Sequence, residues 1–257
     1  MTPEHIADHL QTIEQEHDVK ILLAVESGSR AWGFESKNSD WDVRFIYVHK
    51  PKWYFSVDKR RDVIELMDGD MDLSGWELRK ALVLLRGCNP SLLEWLNSPI
   101  VYSAESVFMA RIKDVAGSFY NPVASMYHYY SIFKKHNERY LQKEGCSLKR
   151  FLYYLRGILA CKWIEAERTV PPVAFAELVA ATVDNDEIRG KIEELIRLKK
   201  SGEEHGLHVV DSDLMEYARH WADYYTQNVE DIRPERKQAS TDVLDALLYD
   251  MVQTFGR

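Results

Sequence analysis

Two short runs carry residue types that could do chemistry. Gly28-Ser29-Arg30-Ala31-Trp32-Gly33-Phe34 follows an apolar stretch, and Ser39-Asp40-Trp41-Asp42-Val43 opens the next one. Side chains alternate faces along a strand, so Asp40 and Asp42 point the same way from its start. Two unpaired carboxylates that close repel and raise one another's pKa. A divalent cation removes that penalty. Hard oxygen ligands suit Mg²⁺ or Mn²⁺, which also hold substrate phosphates. Glycine at position 28 lets the backbone approach a ligand, and N–H groups exposed where a strand turns into a short helix attract phosphate. Gly28 and Ser29 are thus phosphate-binding candidates. Arg30 is a phosphate ligand or a partner in a structural ion pair. A lone Asp-x-Asp is commonly a solvated strand end; its placement after a strand and Gly-Ser-Arg is what points to a site.

The elements that must position these residues are legible around them. Val19–Val25 is apolar and partly β-branched, which predicts a buried strand, and Trp41–Val48 predicts a second. Asp62–Leu66 and Met71–Leu78 read as a hairpin around Asp68-Gly69. Thr2-Pro3-Glu4 opens a helix whose apolar face is Ile6, Leu10 and Ile13. Further helices are expected near Glu77–Leu85 and from Asn89-Pro90-Ser91 through Leu92, Leu93 and Leu96. Beyond Asn121-Pro122 the strand signal fades. Helical patterns then run through Met126, Tyr130, Phe133, Tyr140 and Leu141, through Leu148, Leu152, Leu155 and Leu159, and over Ile188–Leu198. Ser240 can cap a last helix through Leu244, Leu247 and Met251. The expected organisation is an α/β domain over 1–120 and a helical domain over 121–257.

The helical half holds a second clue. Between Tyr127 and Arg168 there are nine Lys and Arg against four Asp and Glu, in a chain of net charge -8, and six of the fourteen Tyr. Lys149, Tyr153 and Arg156, spaced i, i+4, i+7, share a stripe beside the leucines. Two cations flanking an aromatic ring can hold phosphate and stack a base; a solvated helix face is the bland alternative.

The net charge of -8 excludes a general DNA-coating protein. Cys88, Cys146 and Cys161 show no Cys-x-x-Cys spacing, so buried thiols are expected rather than a disulfide framework or structural zinc. His205 and His208 lie near Asp211 and Asp213, a polar loop more than a metal site. With no leader-like start and no apolar run near the ~18 residues of a membrane span, a soluble cytoplasmic protein is expected, with no membrane partner.

On these motifs the chain resembles the polymerase-beta-type nucleotidyltransferase superfamily, marked by an apolar strand, Gly-Ser and an acid-x-acid pair. The longer stretches GSRAWGF, SDWDVRFIYV, DLSGWELRKAL, NPSLLEWL and KRFLYYLRGILACKWI are similar to its branch associated with RNA ligase and RNA repair. The resemblance implies an α+β fold, with a mixed-sheet catalytic domain followed by a helical bundle that closes over the nucleotide. It implies a third carboxylate on a later strand, for which Asp68, Asp70 and Asp72 are candidates. Asp72 is chosen because it lies between Met71 and Leu73 as Asp42 lies between Trp41 and Val43; Asp70 is the reserve. Asp40, Asp42 and Asp72 are then the catalytic and metal-ligating set for Mg²⁺ or Mn²⁺. Gly28, Ser29, Arg30, Ser39, Lys149, Tyr153 and Arg156 are the nucleotide-binding set. The implied reaction moves a nucleoside monophosphate from a nucleoside triphosphate to a hydroxyl on RNA, protein or a small molecule. The alternative is an antitoxin-type or regulatory nucleotide-binding protein acting on a partner protein. Toxins paired with minimal nucleotidyltransferases carry Arg-x4–6-His on a helix. The only such spacing here, Arg44 to His49, falls on a strand.

Overall fold

In the computed structural model, which describes residues 3–136, 147–202, 210–233 and 239–256, the first apolar run becomes β1 (Val19–Glu26). Tyr140, Leu141, Cys146, His205 and His208 lie outside the described residues. Residues group into two compact units, 1–31, 40–120 and 237–257 in one and 32–39 and 121–236 in the other.

The first unit is built on a five-stranded mixed sheet. β2 is Trp41–His49, β3 Val63–Asp68, β4 Met71–Glu77 and β5 Val101–Ala104. Their order is β3-β4-β2-β1-β5. β2 and β4 run parallel, and every other neighbouring pair is antiparallel. β1 lies inside the sheet, and Ile21 through Glu26 are all buried, which is why its sequence is a continuous apolar run rather than an alternating one. The β3–β4 hairpin forms as expected, but its two-residue loop is Gly69-Asp70, one residue later than Asp68-Gly69 suggests. Asp68 pairs with Met71, and Gly69 takes the left-handed φ of +58°.

Helices cover both faces of the sheet. α1 (Pro3–His17) lays Ile6, Leu10 and Ile13 on a core with Ile21, Ala24, Val43, Phe45 and Leu73. α2 (Gly28–Trp32) is the short helix expected after the first strand, whereas α3 (Pro51–Tyr54) and α6 (Ser106–Phe119), like β5, were not foreseen. α4 (Leu78–Arg86) is capped by the Glu77 carboxylate, which accepts from the N–H groups of Arg79 and Lys80. α5 (Pro90–Leu96) is capped by Asn89, and its Trp95 stacks on Trp76 of β4 at 3.8 Å between centroids.

In the second unit α8 (Leu148–Glu167) is central. It packs on α7 (Pro122–His136), α9 (Phe175–Thr182), α10 (Asp186–Ser201) and α11 (Ser212–Asn228). The four leucines of its stripe are all buried. Residues 32–39 join this unit through their rings: Trp32 meets Tyr153 at 4.8 Å and Phe34 meets Phe175 at 5.5 Å. The C-terminal helix α12 (Asp242–Phe255) departs from the expectation that it belongs to the helical half. It packs on α4, α6 and β2, because Leu244, Leu247 and Met251 complete the core of the first unit. The Ser240 hydroxyl does accept the Asp242 N–H at its start, at 3.2 Å.

Candidate active site

The end of β1 and the start of β2 are locked together by the backbone. The Ser27 N–H donates to the Asp42 carbonyl at 2.9 Å, and the Asp42 N–H donates to Glu26 Oε1 at 2.8 Å. Glu26 is fully buried, and the Tyr102 hydroxyl donates to its other oxygen. Burial pushes the Glu26 carboxyl above its ordinary range, and the Asp42 charge adds to that. Gly28 follows with φ +60°. A Cβ there would sit 2.3 Å from Asp42 Oδ2 and 3.1 Å from its Cγ. Only a hydrogen fits, so the glycine is required both by the turn and by the carboxylate beside it. Ser29 is buried in the first turn of α2.

Parallel pairing of β2 with β4 puts Asp42 directly beside Asp72. Their charges are joined by Arg44, two residues after Asp42 and therefore on the same face. Arg44 Nη2 donates to Asp42 Oδ1 at 2.9 Å and to Asp72 Oδ2 at 2.7 Å. Nη1 donates to the carbonyls of Val43 at 3.1 Å and Asp72 at 2.7 Å. The guanidinium thus occupies the position a cation would take between two carboxylates from neighbouring strands. Hard oxygens meeting at one positive centre are a donor set that fits a divalent ion, with Arg44 as the resident cation in its place.

The structure does not bring all three expected acids together. Asp40 is exposed at the strand start, and its carbonyl accepts from Arg30 Nε at 3.1 Å. Among the described residues no group of three or more carboxylate, imidazole or thiol side chains stands ready for a metal. Of the alternatives for the third acid, Asp68 is bound by His9 Nε2 at 2.9 Å. Asp70 lies exposed in the loop, its carbonyl taking the Trp41 N–H. Arg30 lays its guanidinium 3.9 Å over the Trp41 ring. The Ser39 hydroxyl accepts the Ser36 N–H at 2.9 Å, stapling a local turn in the second unit.

The stripe on α8 is not uniform. Lys149 is exposed, Tyr153 is half-buried against Trp32 and Phe34, and Arg156 is only 4% exposed. The Arg156 guanidinium lies 4.3 Å over Trp32 and 5.8 Å from the Tyr129 ring centre. Cys88 and Cys161 are buried thiols. Sequence reading missed Arg44, Glu26 and Tyr102. Arg44 was findable, since same-face alternation from Asp42 reaches it; the Tyr102 partner of Glu26 comes from β5, a strand with no pattern of its own.

A strand ending in a Gly-Ser turn, faced by an acid-x-acid strand with another acid alongside, defines the polymerase-beta-type nucleotidyltransferase class. More narrowly, the chain belongs to the RNA repair pathway DNA polymerase beta family, which it matches over residues 2–250. It is 41% identical over 251 residues to the uncharacterized protein YcgL of Bacillus subtilis (strain 168), covering 97% of this chain and 96% of that one. It is also similar to a solved nucleotidyltransferase-like protein from Exiguobacterium sibiricum 255-15, at 12% identity and a TM-score of 0.34, over 94% of this chain and 73% of that one. No described helix is long and apolar enough to cross a membrane.

Proposed function

We propose that the protein transfers a nucleoside monophosphate from a nucleoside triphosphate to a hydroxyl acceptor, an RNA end, with release of pyrophosphate. The observation that carries this is the register pair Asp42–Asp72, held against a glycine that has room for nothing larger than hydrogen. Asp42 and Asp72 would hold Mg²⁺ or Mn²⁺, which would supply charge neutralisation at the phosphates and a lower pKa at the attacking hydroxyl, and Asp40, which stands apart from the pair here, is proposed as a further ligand. Gly28 and Ser29 offer main-chain and hydroxyl donors to phosphate oxygens. Glu26 fixes the Asp42 backbone, so the carboxylate is positioned before substrate arrives. Arg44 withdraws from the acid pair and is then free to meet the triphosphate, for which its planar fork is suited. Within the second unit Lys149, Tyr153, Arg156 and Ser39 are further nucleotide-binding candidates, with Tyr153 and Arg156 held against Trp32 and Ser39 held in the 36–39 turn.

The family description favours RNA as acceptor. The test incubates the protein with each labelled nucleoside triphosphate, Mg²⁺ and an RNA oligonucleotide bearing a free 3′-hydroxyl. Pyrophosphate release and oligonucleotide lengthening are read together. Asp42→Asn and Asp72→Asn are expected to lower both by at least ~10²-fold, the scale of lost electrostatic stabilisation. Undiminished turnover in the double variant would overturn the assignment.

A further inference from the structure

At the opposite end of β2 from Asp42 the chemistry of the surface changes. His49 lies seven residues along the strand, about 23 Å away at ~3.3 Å per residue. The segment from Lys50 to Asp62 carries five Lys and Arg against two Asp, in a chain of net charge -8. Two adjoining hollows open there, of about 370 and 280 Å³. Both are lined by Trp53 and Arg60, so a single occupant could run from one into the other. Each is roughly the size of a nucleotide.

The rings are set for stacking. Trp53 lies parallel to His49 at 4.3 Å and edge-on to Tyr54 at 5.1 Å, which holds it rigid. Burial, with Arg60 nearby, pulls the His49 pKa down to about 4, so its ring stays neutral at physiological pH. Phe55, next in the chain, is 85% exposed. An aromatic left that open between basic residues costs solvation and invites a planar partner.

The charges are set for phosphate. Lys59 and Arg60 in the larger hollow make no ion pair among the described residues. Of the acids there, Asp62 is held by Lys80 at 3.1 Å, Glu77 is spent on the Tyr54 hydroxyl and the start of α4, Glu65 is paired with Arg61 at 2.9 Å on the surface, and Asp58 is exposed.

We propose that these two hollows form a track for single-stranded RNA, with a base stacked on Trp53, phosphates held by Lys59, Arg60 and Arg61, and a further base taken by Phe55, which lines neither hollow but stands exposed in the chain between Tyr54 and Ser56 of the larger one. The assignment of RNA rests on the nucleotidyl-transfer reading above, in which it is the acceptor. Two linked hollows favour a strand over a free nucleotide, which would fill only one. Aromatic platforms between cations bind single strands with little sequence preference and strong salt dependence.

Fluorescence anisotropy with a labelled RNA oligonucleotide tests this in EDTA, without nucleoside triphosphate, so binding is read apart from catalysis. The wild type is expected to bind the oligonucleotide under these conditions, with neither metal nor nucleoside triphosphate present. Arg60→Ala/Arg61→Ala and Phe55→Ala should each weaken binding about tenfold or more, and the arginine pair should flatten the salt slope by about 1.4, the single-strand value for two phosphates. Both changes lie on exposed or half-exposed side chains, and a thermal melt confirms that each variant is folded. Unchanged binding in these variants overturns the track. Equal competition by a mononucleotide also overturns it and makes the hollow a free-nucleotide site. RNA bound through this segment with no transfer activity would refute the proposed reaction and leave the track standing.

Discussion

Arg44 and Glu26 decide how the acid pair behaves. Arg44 neutralises Asp42 and Asp72 at once, so its removal leaves two facing carboxylates with nothing between them. Arg44→Ala is expected to cost about 1 kcal/mol without metal, since all three side chains keep some solvent access. Added Mg²⁺ should then raise the melting temperature of the variant more than that of the wild type. An identical Mg²⁺ shift in both, read by differential scanning fluorimetry, would show that Arg44 and the ion do not compete. Glu26 gives a pH prediction. Folding takes its carboxylate out of water, so the folded state binds the proton more tightly than the unfolded one. Above the raised folded pKa the ionised group costs stability, and that cost is relieved as pH falls through this value toward the ordinary 4.5. Glu26→Gln removes the titration. Urea unfolding should therefore show wild-type stability rising relative to the variant as the pH is lowered from neutrality toward 4.5; a constant difference would contradict the burial argument.

Elements differ in how plainly the sequence announces them. α8 is legible because its leucine stripe repeats at helical spacing and every member is buried. β5 is illegible because it has four residues, lies at the sheet edge and buries none of them, so no period can show. One glycine inside α8 has a packing role that composition hides. A Cβ on Gly157 would lie 3.1 Å from Phe133 Cβ and 3.2 Å from the Tyr129 carbonyl oxygen, both on α7. Gly157→Ala gains helix propensity, roughly 1 kcal/mol. It must also push α7 away, an overpacking cost of typically 1–3 kcal/mol. The net expectation is a loss of about 1 kcal/mol, and chemical denaturation that shows a gain would mean α7 yields freely.

On the scale of the whole chain, sequence order and spatial grouping part company. Residues 32–39 group with the helices that come much later, and α12 returns to the first unit. Deleting the chain from Asp242 onward should therefore uncover β2, α4 and α6 and leave α8 protected. Hydrogen exchange by mass spectrometry checks this: faster exchange in α8 than in β2 would place α12 on the wrong unit. The same grouping means the GSRAWGF motif serves two ends. Gly28 turns the chain beside Asp42, while Trp32 and Phe34 fill an aromatic core.

The sequence by itself determined the local constellation. An apolar strand, a glycine turn and acids two apart on the next strand follow from periodicities of a few residues, and those are physics of the chain alone. The first two strands and the central helix were legible for the same reason, while the α+β class came with the family resemblance. Only the tertiary structure decided that Asp72, thirty residues from Asp42, is its neighbour, because that depends on β2 and β4 pairing in parallel at one register. It also decided that Arg44 stands between them, that Asp40 remains exposed, and that Tyr102 reaches Glu26. Which strands lie side by side is settled by the packing of the entire first unit, and no short stretch of sequence contains that information.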